Sequence, residues 1–340
     1  MLRKRRSMTK QLVNLPQIEN VLITAGECAV TVLPQFGGKI ASIRIGEHEL
    51  LQTPLAPIAP RTRTMAFDEG DASGWDECLP SVAGCKVETD AGTVDVPDHG
   101  DLWRVEWEIS GQAETSGKEN DLNADHAPVA LTGRCFSLPL ELKRRIDLRM
   151  TSTGWRMDLS YELRNTGQHP VPWSWAAHPL FAAEEGDRIV LPRSIHSLRL
   201  EGSGDGRLGK AGTRVNWPQA RLAGGRIVDL GIAEAPDSRI GDKLFTESLG
   251  RSQNWCMLER PSAGLRIRVS FDPMATQYLG LWICYGGWPE RPGPRQMCVA
   301  LEPATAPVDS LAMTGAWSRV LAPGESFSWP MEVEIEQIER

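Results

Sequence analysis

Apolar and polar residues alternate with a period of two over much of this chain. The clearest runs cover residues 142–150, 155–163, 265–271 and 331–338. Alternation of this kind predicts β-strands that bury one side and expose the other. We expect strands in these four runs and, from similar shorter runs, roughly 18 to 22 strands in all.

Glycine and proline separate the alternating runs. The chain has 32 glycines and 24 prolines, which favour turns and end strands. Helical periodicity is nearly absent, and only residues 218–222 suggest a short helix. The segment 192–231, rich in Gly, Arg and Ser, predicts a long excursion over one face. The whole pattern predicts an all-β fold, a large antiparallel β-sandwich.

No stretch of the chain resembles a linker between domains. A length of 340 residues exceeds the usual size of one domain, yet β-sandwiches often run longer as a single unit. We predict one domain over residues 16–340, preceded by a disordered basic tail over residues 1–15. The polar segment 113–127 is predicted to be a surface loop between two strands.

Charge and hydropathy argue against several classes of partner. The formal net charge is −7, with acidic and basic residues interspersed. This disfavours nucleic acid and anionic membrane surfaces, since both select for basic faces. No apolar run approaches the ~18 residues that a membrane helix needs. The basic N-terminus lacks a following apolar segment, so it does not resemble a secretory signal.

The seven cysteines show no regular spacing. No two of them form a Cys-x-x-Cys pair, and no zinc-ligand spacing is present. We therefore expect reduced thiols, no disulfide and no metal site, with a cytoplasmic location.

The aromatic residues are dominated by tryptophan, with 12 Trp against 7 Phe and 3 Tyr. Tryptophan offers a flat apolar face and an N–H donor, which suits stacking on a pyranose ring. Most of the twelve are nevertheless expected to pack in the core or along sheet edges.

Three positions carry candidate chemistry, each in a setting that breaks strands. His99 stands in a Pro-Asp-His-Gly turn, His178 precedes Pro179, and Glu302 precedes Pro303. The two prolines predict that strands end at His178 and Glu302, where functional groups are often presented. Each position also has a plain structural interpretation: a histidine bonded to a backbone carbonyl, or a glutamate paired with an arginine.

In this order, the three motifs resemble those of the galactose mutarotase-like superfamily, to which the aldose 1-epimerases belong. The motifs are His99-Gly, His178-Pro-x-Phe and Leu-Glu302-Pro. Further segments resemble that family's first hairpin, its bacterial aldose-epimerase-like branch and its closing strand pair: residues 34–40, 74–80 with 98–100, and 321–329.

The resemblance implies a sandwich with a shallow cleft across one sheet, and interconversion of the α and β anomers of an aldose. A base removes the proton of the C1 hydroxyl while an acid protonates the ring oxygen, so that the ring opens and recloses. By this resemblance Glu302 is the base, His178 the acid, and His99 a second donor to the ring oxygen. It implies no metal or organic cofactor. We expect all three side chains to line one cleft, with a pyranose between Glu302 and the two histidines.

One segment departs from the family. Better-known galactose mutarotases carry a Gly-Arg-x-x-Asn-Arg segment early in the chain, where residues 61–65 here read Arg-Thr-Arg-Thr-Met. With Arg104, the arginines of this segment are those available to an acidic or phosphorylated sugar. We expect the small-molecule sugar to be bound by side chains that stack on a ring or bond to hydroxyls: Arg61, Arg63, Trp75, Asp76, Asp272 and Trp282.

Two other functions fit the same residues. A non-catalytic carbohydrate-binding protein would use the same fold and the same Trp and polar residues, but it has no need of an acid/base pair. A lyase or hydrolase would need a second carboxylate beside Glu302, which only Asp76 or Glu77 could supply. The presence of both histidines together with Glu302 favours the epimerase.

Overall fold

The computed structural model describes residues 20–90, 92–112 and 128–338. Within these ranges the chain forms 25 β-strands and seven single-turn 3-10 helices, and no α-helix. The predicted all-β class is therefore confirmed. The tail predicted over residues 1–15 and the loop predicted over 113–127 lie outside the described residues, and the single domain over 16–340 remains a prediction.

The larger of the two main sheets has eleven strands and is antiparallel throughout. Numbered along the chain and taken in order across the sheet, its strands are β1 (Val21–Ala25), β2 (Cys28–Leu33), β3 (Lys39–Ile45), β5 (Trp75–Cys78), β13 (Ala176–Ala182), β23 (Met297–Ala304), β22 (Tyr278–Tyr285), β19 (Ile240–Phe245), β15 (Ser197–Ser203) and β16 (Arg214–Asn216), with β4 (His48–Glu49) paired to β3.

The second main sheet has eight antiparallel strands. In order across the sheet they are β14 (Arg188–Val190), β20 (Trp255–Arg260), β21 (Leu265–Phe271), β25 (Ser326–Gln337), β11 (Gly154–Asn165), β10 (Leu140–Met150), β9 (Val129–Arg134) and β8 (Glu108–Gln112).

Short elements connect these sheets. Three two-stranded pairs are β6 (Cys85–Thr89) with β7 (Gly92–Val96), β12 (Val171–Trp173) with β24 (Arg319–Leu321), and β17 (Gln219–Arg221) with β18 (Ile227–Asp229). The 3-10 turns are Pro34–Phe36, Phe67–Glu69, Leu102–Arg104, Gly204–Gly206, Pro236–Ser238, Leu311–Met313 and Gly315–Trp317.

The four alternating runs of the sequence are all strands, β10, β11, β21 and β25, and all four are neighbours in the second sheet. This sheet buries one face and exposes the other, and such a sheet shows the clearest alternation. The total of 25 strands exceeds the expected number, because several strands of two or three residues are too short to show a pattern.

Two predictions for the middle of the chain are corrected. The short helix predicted over residues 218–222 is wrong, because the chain there forms β17, which pairs with β18. The segment 192–231 is only partly an excursion, since β15 and β16 extend the larger sheet at its edge. In these segments, pairing with neighbouring strands favours the extended conformation and outweighs the local preference for a helix or a loop.

Both main sheets contribute to one shared apolar core. From the larger sheet, Leu281 and Leu301 enter this core, and from the second sheet Ile267 and Val333 do so. All four side chains are completely buried. Eight of the twelve tryptophans are buried as well, as expected for packing residues.

The predicted ends of two strands are wrong. β13 continues past His178 through Pro179, and β23 continues past Glu302 through Pro303. Proline lacks an N–H donor, which normally breaks a sheet ladder. Opposite Pro303, both polar groups of the Leu279 backbone are bonded to Thr246: the Leu279 carbonyl accepts from the Thr246 N–H at 2.9 Å, and the Leu279 N–H donates to Thr246 Oγ1 at 3.0 Å. Leu279 therefore needs no donor from Pro303, and the strand continues past the proline.

Candidate active site

Functional side chains gather on the outer face of the larger sheet, the face turned away from the shared core. Successive side chains of a strand point to opposite faces. In β23, Val299 and Leu301 enter the core, so Ala300 and Glu302 point outward. The same alternation points His178 outward from the neighbouring β13.

The strand register brings these positions together. The pairing of β13 with β23 places His178 opposite Glu302. On its other side, Glu302 is opposite Gly280 of β22. Lys243 of β19 comes one row away, opposite Trp282. Four adjacent strands thus present one histidine, one glutamate, one lysine and one tryptophan to the same side.

Gly280 leaves an open space in the middle of this group. A Cβ atom on Gly280 would lie 3.1 Å from Glu302 Oε2 and 3.0 Å from Phe245 Cε1, both tighter than ordinary contacts. Because the space is open, the Lys243 ammonium reaches across it and donates a hydrogen bond to Glu302 Oε2. The result is a buried ion pair between side chains of two strands that are not adjacent.

His99 reaches the same face from the turn after β7. The φ angles of His99 and Gly100 are 57° and 68°, in the left-handed region. A Cβ on Gly100 would lie 2.2 Å from the Leu79 carbonyl oxygen, so only glycine fits there. Asp101 anchors the turn by accepting hydrogen bonds from Ser137 N at 2.8 Å and Oγ at 2.6 Å. The glycine of the His-Gly motif is therefore a requirement of this turn.

A cavity of about 330 Å³ lies over this face, within the range of ~300–1,000 Å³ typical of small-molecule sites. His99, His178 and Glu302 all line it, so the structure brings together the three residues selected from the sequence. Further polar and aromatic lining comes from Asp98, Lys243, Gln296, Asp309, Phe67, Trp282 and Trp288.

His178 and Glu302 are close to each other at the floor of the cavity. His178 Nε2 lies 3.7 Å from Glu302 Oε1, which leaves no room for a sugar ring between them. The expected position of a pyranose between Glu302 and His178 is therefore wrong, and a sugar must lie over both. His178 Nδ1 and Glu302 Oε1 are buried without a hydrogen-bond partner in the described residues. Because both residues line the cavity, these two atoms are available to a ligand there.

Burial changes the acid–base character of both groups. It raises the pKa of Glu302, and the adjacent Lys243 ammonium offsets only part of that rise. Burial also lowers the pKa of His178 well below its ordinary value, with added repulsion from His99 and Lys243. Glu302 is therefore a stronger base than an exposed glutamate, and His178 is a neutral imidazole near pH 7.

Lys243 connects Glu302 to a second carboxylate. Lys243 Nζ lies 3.4 Å from Asp309 Oδ1 in addition to its bond with Glu302. Burial opposes the charge on Lys243, but Asp309 and Glu302 outweigh it and raise its pKa. The ammonium therefore stays charged. No arginine is found among the described residues that line the cavity, so Lys243 supplies its permanent positive charge.

His99 is held in place by a carboxylate and an aromatic ring. Its Nδ1 lies 2.8 Å from Asp98 Oδ2, and its ring stacks on Phe67 with centroids 3.8 Å apart. The ring of His178 stands perpendicular to it at 5.2 Å. Burial acts to raise the pKa of Asp98, but the hydrogen bond with His99 and the charge of Arg104 lower it overall. With Nδ1 engaged, Nε2 is the ring nitrogen left for a ligand.

Trp282 is the one predicted sugar-contacting residue that lines the cavity. Its Nε1 donates to Gln296 Oε1 at 3.0 Å, and Gln296 Nε2 donates to the Ala72 carbonyl at 3.1 Å. This chain of bonds fixes the indole plane. A fixed indole face is suited to stacking on the C–H side of a sugar ring.

Three other predicted sugar contacts lie away from the cavity lining. Trp75 is fully buried and belongs to the shared core. Arg63 is exposed, with its guanidinium 4.9 Å from the Phe136 ring. Asp272 follows β21 and accepts a hydrogen bond of 2.8 Å from the Met274 N–H. Trp75 faces the core because successive side chains of β5 point to opposite faces of the sheet. Asp272 is held by the turn that follows β21.

The last two predicted contacts, Arg61 and Asp76, belong to a buried charge cluster beside the cavity. Arg61 Nη2 lies 2.5 Å from Asp71 Oδ1, and Arg61 Nη1 donates to the Phe36 carbonyl at 3.1 Å. Asp76 Oδ2 accepts a hydrogen bond of 2.7 Å from Lys39 Nζ. These side chains are occupied with one another, and neither Arg61 nor Asp76 lines the cavity.

The second carboxylate that a hydrolase would need is not supplied by the residues expected to do so. Asp76 pairs with Lys39, as described, and Glu77 pairs with Arg144 at 2.9 Å inside the core. The carboxylate that Lys243 links to Glu302 is Asp309, because the Lys243 ammonium contacts both side chains. Both carboxylates thus lie around one cation.

Sequence reasoning missed several lining residues. Lys243 had no signal from alternation, because the charged residues Asp242 and Lys243 are adjacent in the run Ile-Gly-Asp-Lys-Leu-Phe. Phe67, Trp288, Gln296 and Asp309 lie outside strands and had no such signal either. They come from turns and loops, whose positions follow from tertiary packing.

Among the described residues, no group of three His, Cys, Asp or Glu side chains is arranged to hold a metal ion. No helix in the same ranges is long and apolar enough to cross a membrane. All seven cysteines lie in these ranges and are free thiols.

Comparison by sequence identifies no relative: no protein-family model matches the chain, and no curated protein matches it. Among solved structures, a protein from Synechocystis aligns with a TM-score of 0.69 at 16% identity, over 97% of this chain and 100% of its own.

Two further solved structures have names that describe an activity or a family. A putative aldose 1-epimerase from Escherichia coli has a TM-score of 0.65 at 16% identity, covering 94% of this chain and 99% of its own. A galactose mutarotase-like protein from Lactobacillus casei has a TM-score of 0.64 at 14% identity, covering 94% and 100%. The chain therefore has the galactose mutarotase-like fold, as its motifs predicted.

Proposed function

We propose that this protein is an aldose 1-epimerase, which interconverts the α and β anomers of a hexose or a related sugar. One observation carries the proposal. A buried glutamate, Glu302, with one unpartnered oxygen, lies 3.7 Å from His178 at the floor of a cavity of small-molecule size. Its pKa is raised by burial, which suits a general base.

The short separation of these two groups suits the reaction. The C1 hydroxyl and the ring oxygen of an aldose are both attached to C1, so a base and a donor that serve them must be neighbours. Glu302 Oε1 takes the proton of the C1 hydroxyl. The bond between C1 and the ring oxygen then breaks, and its electron pair goes to the ring oxygen.

The two histidines serve the ring oxygen. His178 transfers a proton to it from its imidazolium form, which burial makes a stronger acid, and so becomes the neutral imidazole that burial favours; His99, oriented by Asp98, donates a hydrogen bond to the same oxygen. Once the ring oxygen is protonated, the aldehyde rotates about the bond between C1 and C2. The reverse proton transfers close the ring on the other face and return Glu302 and the histidines to their first state.

The arrangement of the site favours catalysis over binding alone. A binding site needs stacking faces and hydrogen-bond partners, which Trp282 and Gln296 supply. It does not need a fully buried glutamate with a free oxygen, which costs free energy unless it is used. The seven free thiols support the cytoplasm as the place of this activity.

The test is the substitution Glu302→Gln, assayed by NMR exchange between anomers across a panel of aldoses. The change keeps size and hydrogen bonding but removes the base, so we expect exchange to fall by about two orders of magnitude or more. Sugar affinity, measured by calorimetry, should stay near that of the unaltered protein.

The matched control is Glu88→Gln. It alters an exposed glutamate of β6 that accepts a hydrogen bond from Thr93 of β7. Its exchange rate should be unchanged. Wild-type exchange in the Glu302→Gln variant would exclude Glu302 as the base. An unaltered protein that binds aldoses without exchanging their anomers would support the alternative, a carbohydrate-binding protein.

A further inference from the structure

Lys243, Glu302 and Asp309 form a charge cluster that the mechanism above leaves partly unused. The side chains of Glu302 and Lys243 are 0% and 12% exposed, and that of Asp309 is 18% exposed. All three line the cavity. The pair of Lys243 and Glu302 meets in the space left by Gly280 and lies at the surface of the cavity. A pair that only stabilised the fold would have no need of this position.

The ammonium of Lys243 has unused hydrogen-bonding capacity. It carries three N–H donors. One is donated to Glu302 Oε2. Asp309 Oδ1, at 3.4 Å, lies beyond the distance of a good hydrogen bond. At least one N–H therefore remains for a ligand in the cavity.

The ion pair also divides the roles of the two Glu302 oxygens. Oε2 is held by Lys243, while Oε1 has no partner and faces His178. Only Oε1 is thus available to take a proton from the C1 hydroxyl. Because the two oxygens belong to one carboxylate, Lys243 Nζ lies beside the place that the C1 hydroxyl occupies. The neighbouring hydroxyl of an aldose is the one on C2.

We propose, on the basis of the proposed function, that Lys243 is a positioning and specificity residue of this site. It holds Glu302 Oε2 so that Oε1 meets the C1 hydroxyl, and it donates a free N–H to the C2 hydroxyl. The protein therefore selects aldoses that carry a hydroxyl on C2 over their 2-deoxy analogues.

Charge in the cavity agrees with an uncharged substrate. Asp68, Asp98, Glu302 and Asp309 line it together with a single lysine. Arg61 and Arg104 lie outside the cavity lining and donate to the backbone carbonyls of Phe36 and Met65, so neither serves a phosphate or carboxylate in the cavity. Lys243 is neutralised by its own carboxylates, which leaves it able to donate to a hydroxyl.

The pH dependence of the site has a defined set of contributors. The positive charges of Lys243 on β19 and His99 after β7 lower the pKa of Glu302, and the negative charge of Asp309 after β23 raises it. The other titratable groups facing Glu302 are His178 of β13, at 3.7 Å, and the thiols of Cys78 on β5 and Cys298 on β23, whose pKa values Glu302 helps to raise. The positive charge of Lys243 lowers the pKa of Glu302, so its removal raises that pKa.

The first experiment measures the pH profile of anomer exchange for Lys243→Met. Glu302 should then lose its proton only at higher pH, so the acidic limb of the kcat/KM profile should move to higher pH. At neutral pH we expect kcat/KM to fall about tenfold or more, with partial recovery as the pH rises. A merely structural lysine would lower the rate equally at every pH.

The second experiment compares the best-exchanged aldose of a panel with its 2-deoxy analogue, such as glucose with 2-deoxyglucose. The unaltered protein should prefer the aldose about tenfold or more, because the analogue leaves a buried donor unpaired. In Lys243→Met the ratio should fall close to one. An equal preference in both proteins would overturn the specificity role.

Two variants control for folding and charge. Lys86→Met removes the same charge from an exposed ion pair with Asp95 and should change neither the profile nor the preference. Lys243→Met combined with Asp309→Asn removes the uncompensated second carboxylate. If the single variant folds poorly by circular dichroism, the double variant carries the 2-deoxy test, and its pH profile is compared with that of Asp309→Asn alone, because Asp309 itself raises the pKa of Glu302.

Failure of the proposed function remains distinguishable from failure of this inference. If the unaltered protein exchanges the aldoses and Lys243→Met does so with the same profile, the inference is wrong and the function stands. If the unaltered protein exchanges none, carbon-13 NMR titration of the Glu302 carboxyl, assigned with Glu302→Gln, decides the role of Lys243. An unchanged titration in Lys243→Met then overturns the inference.

Discussion

Gly280 shows how a single missing side chain shapes the site. It stands opposite Glu302 in the sheet, and its lack of a Cβ gives Glu302 Oε2 the space in which Lys243 meets it. The same position touches Phe245, whose ring lies under the Lys243 ammonium at 5.2 Å. The placement of the proposed base therefore depends on a residue with no functional group.

We predict that Gly280→Ala displaces Glu302 and slows anomer exchange. The new methyl group would lie 3.1 Å from Glu302 Oε2, so the carboxylate must move by a few tenths of an ångström. Since a displacement of ~1 Å can cost about a hundredfold in rate, we expect a loss of roughly tenfold. NMR exchange measures the rate, and calorimetry the sugar affinity.

The control for this change is Gly202→Ala in β15 of the same sheet, where a Cβ would meet nothing within 4 Å. Its exchange rate should match that of the unaltered protein. An undiminished rate in Gly280→Ala would mean that Glu302 tolerates displacement and that its position is not set by this space.

At the scale of elements, a long loop after β4 depends on buried charges for its position. It carries Phe67, the ring on which His99 stacks. Asp71 of this loop pairs with Arg61 of the same loop and with Lys39 of β3, whose Nζ lies 3.2 Å from Asp71 Oδ2. Ser73 Oγ also donates to Asp71 at 2.7 Å. The cluster thus holds one wall of the cavity against the sheet.

We predict that Asp71→Asn destabilises the protein and loosens this wall. The substitution removes the negative charge that pairs with the buried side chains of Lys39 and Arg61. We expect this to lower the free energy of unfolding by about 3–5 kcal/mol. Urea unfolding at pH 7 measures the loss. Asp95→Asn, in the exposed pair with Lys86, is the control and should change stability little. Equal stability of Asp71→Asn and the unaltered protein would show that the cluster does not hold the loop.

The same variant has a predicted pH dependence. Burial acts to raise the pKa of Asp71, but Lys39 and Arg61 outweigh it and hold that pKa below its ordinary value. A lowered pKa in the fold contributes stability that is present above the unfolded pKa of about 3.9 and is lost below it. The stability difference between the two proteins should therefore shrink in urea titrations below about pH 4. A constant difference would contradict this linkage.

At the scale of the molecule, an ion pair joins the two main sheets through their shared core. Glu77 of β5 and Arg144 of β10 are both fully buried and lie 2.9 Å apart. Tyr161 of β11 and Trp175 also donate hydrogen bonds to Glu77. A contact of this kind couples the sheets, since neither can separate without exposing an unpaired charge.

We predict one cooperative unfolding transition that involves both sheets. Arg144→Met should lower the denaturant midpoint by the equivalent of about 3–5 kcal/mol, because Glu77 loses its buried partner. Tryptophan fluorescence and far-UV circular dichroism should shift together in the same urea titration. Two separate transitions, with only one displaced by the substitution, would overturn the prediction of a single domain over residues 16–340.

The sequence by itself determined the all-β class and the strands of the second sheet. Those strands have one wet face and one buried face, so residues 142–150 and 331–338 alternate visibly. It also singled out His99, His178 and Glu302, because each stands in a short motif that resembles a known family.

The central strands of the larger sheet were harder to read, since they are covered on both faces. The strands that carry His178 and Glu302 are buried along nearly their whole length, so they show no alternation. Pro179 and Pro303 then suggested strand ends that do not exist.

Only the tertiary structure decided which polar residues work together. Lys243 and Glu302 are 59 positions apart along the chain and meet across Gly280. Arg61 and Asp76, expected to contact the sugar, instead bond to buried charges around Asp71 and Lys39. The physical reason is that strand register and loop packing, not local sequence, set the neighbours of a polar side chain, and a charge buried on folding bonds to whichever opposite charge that packing brings near.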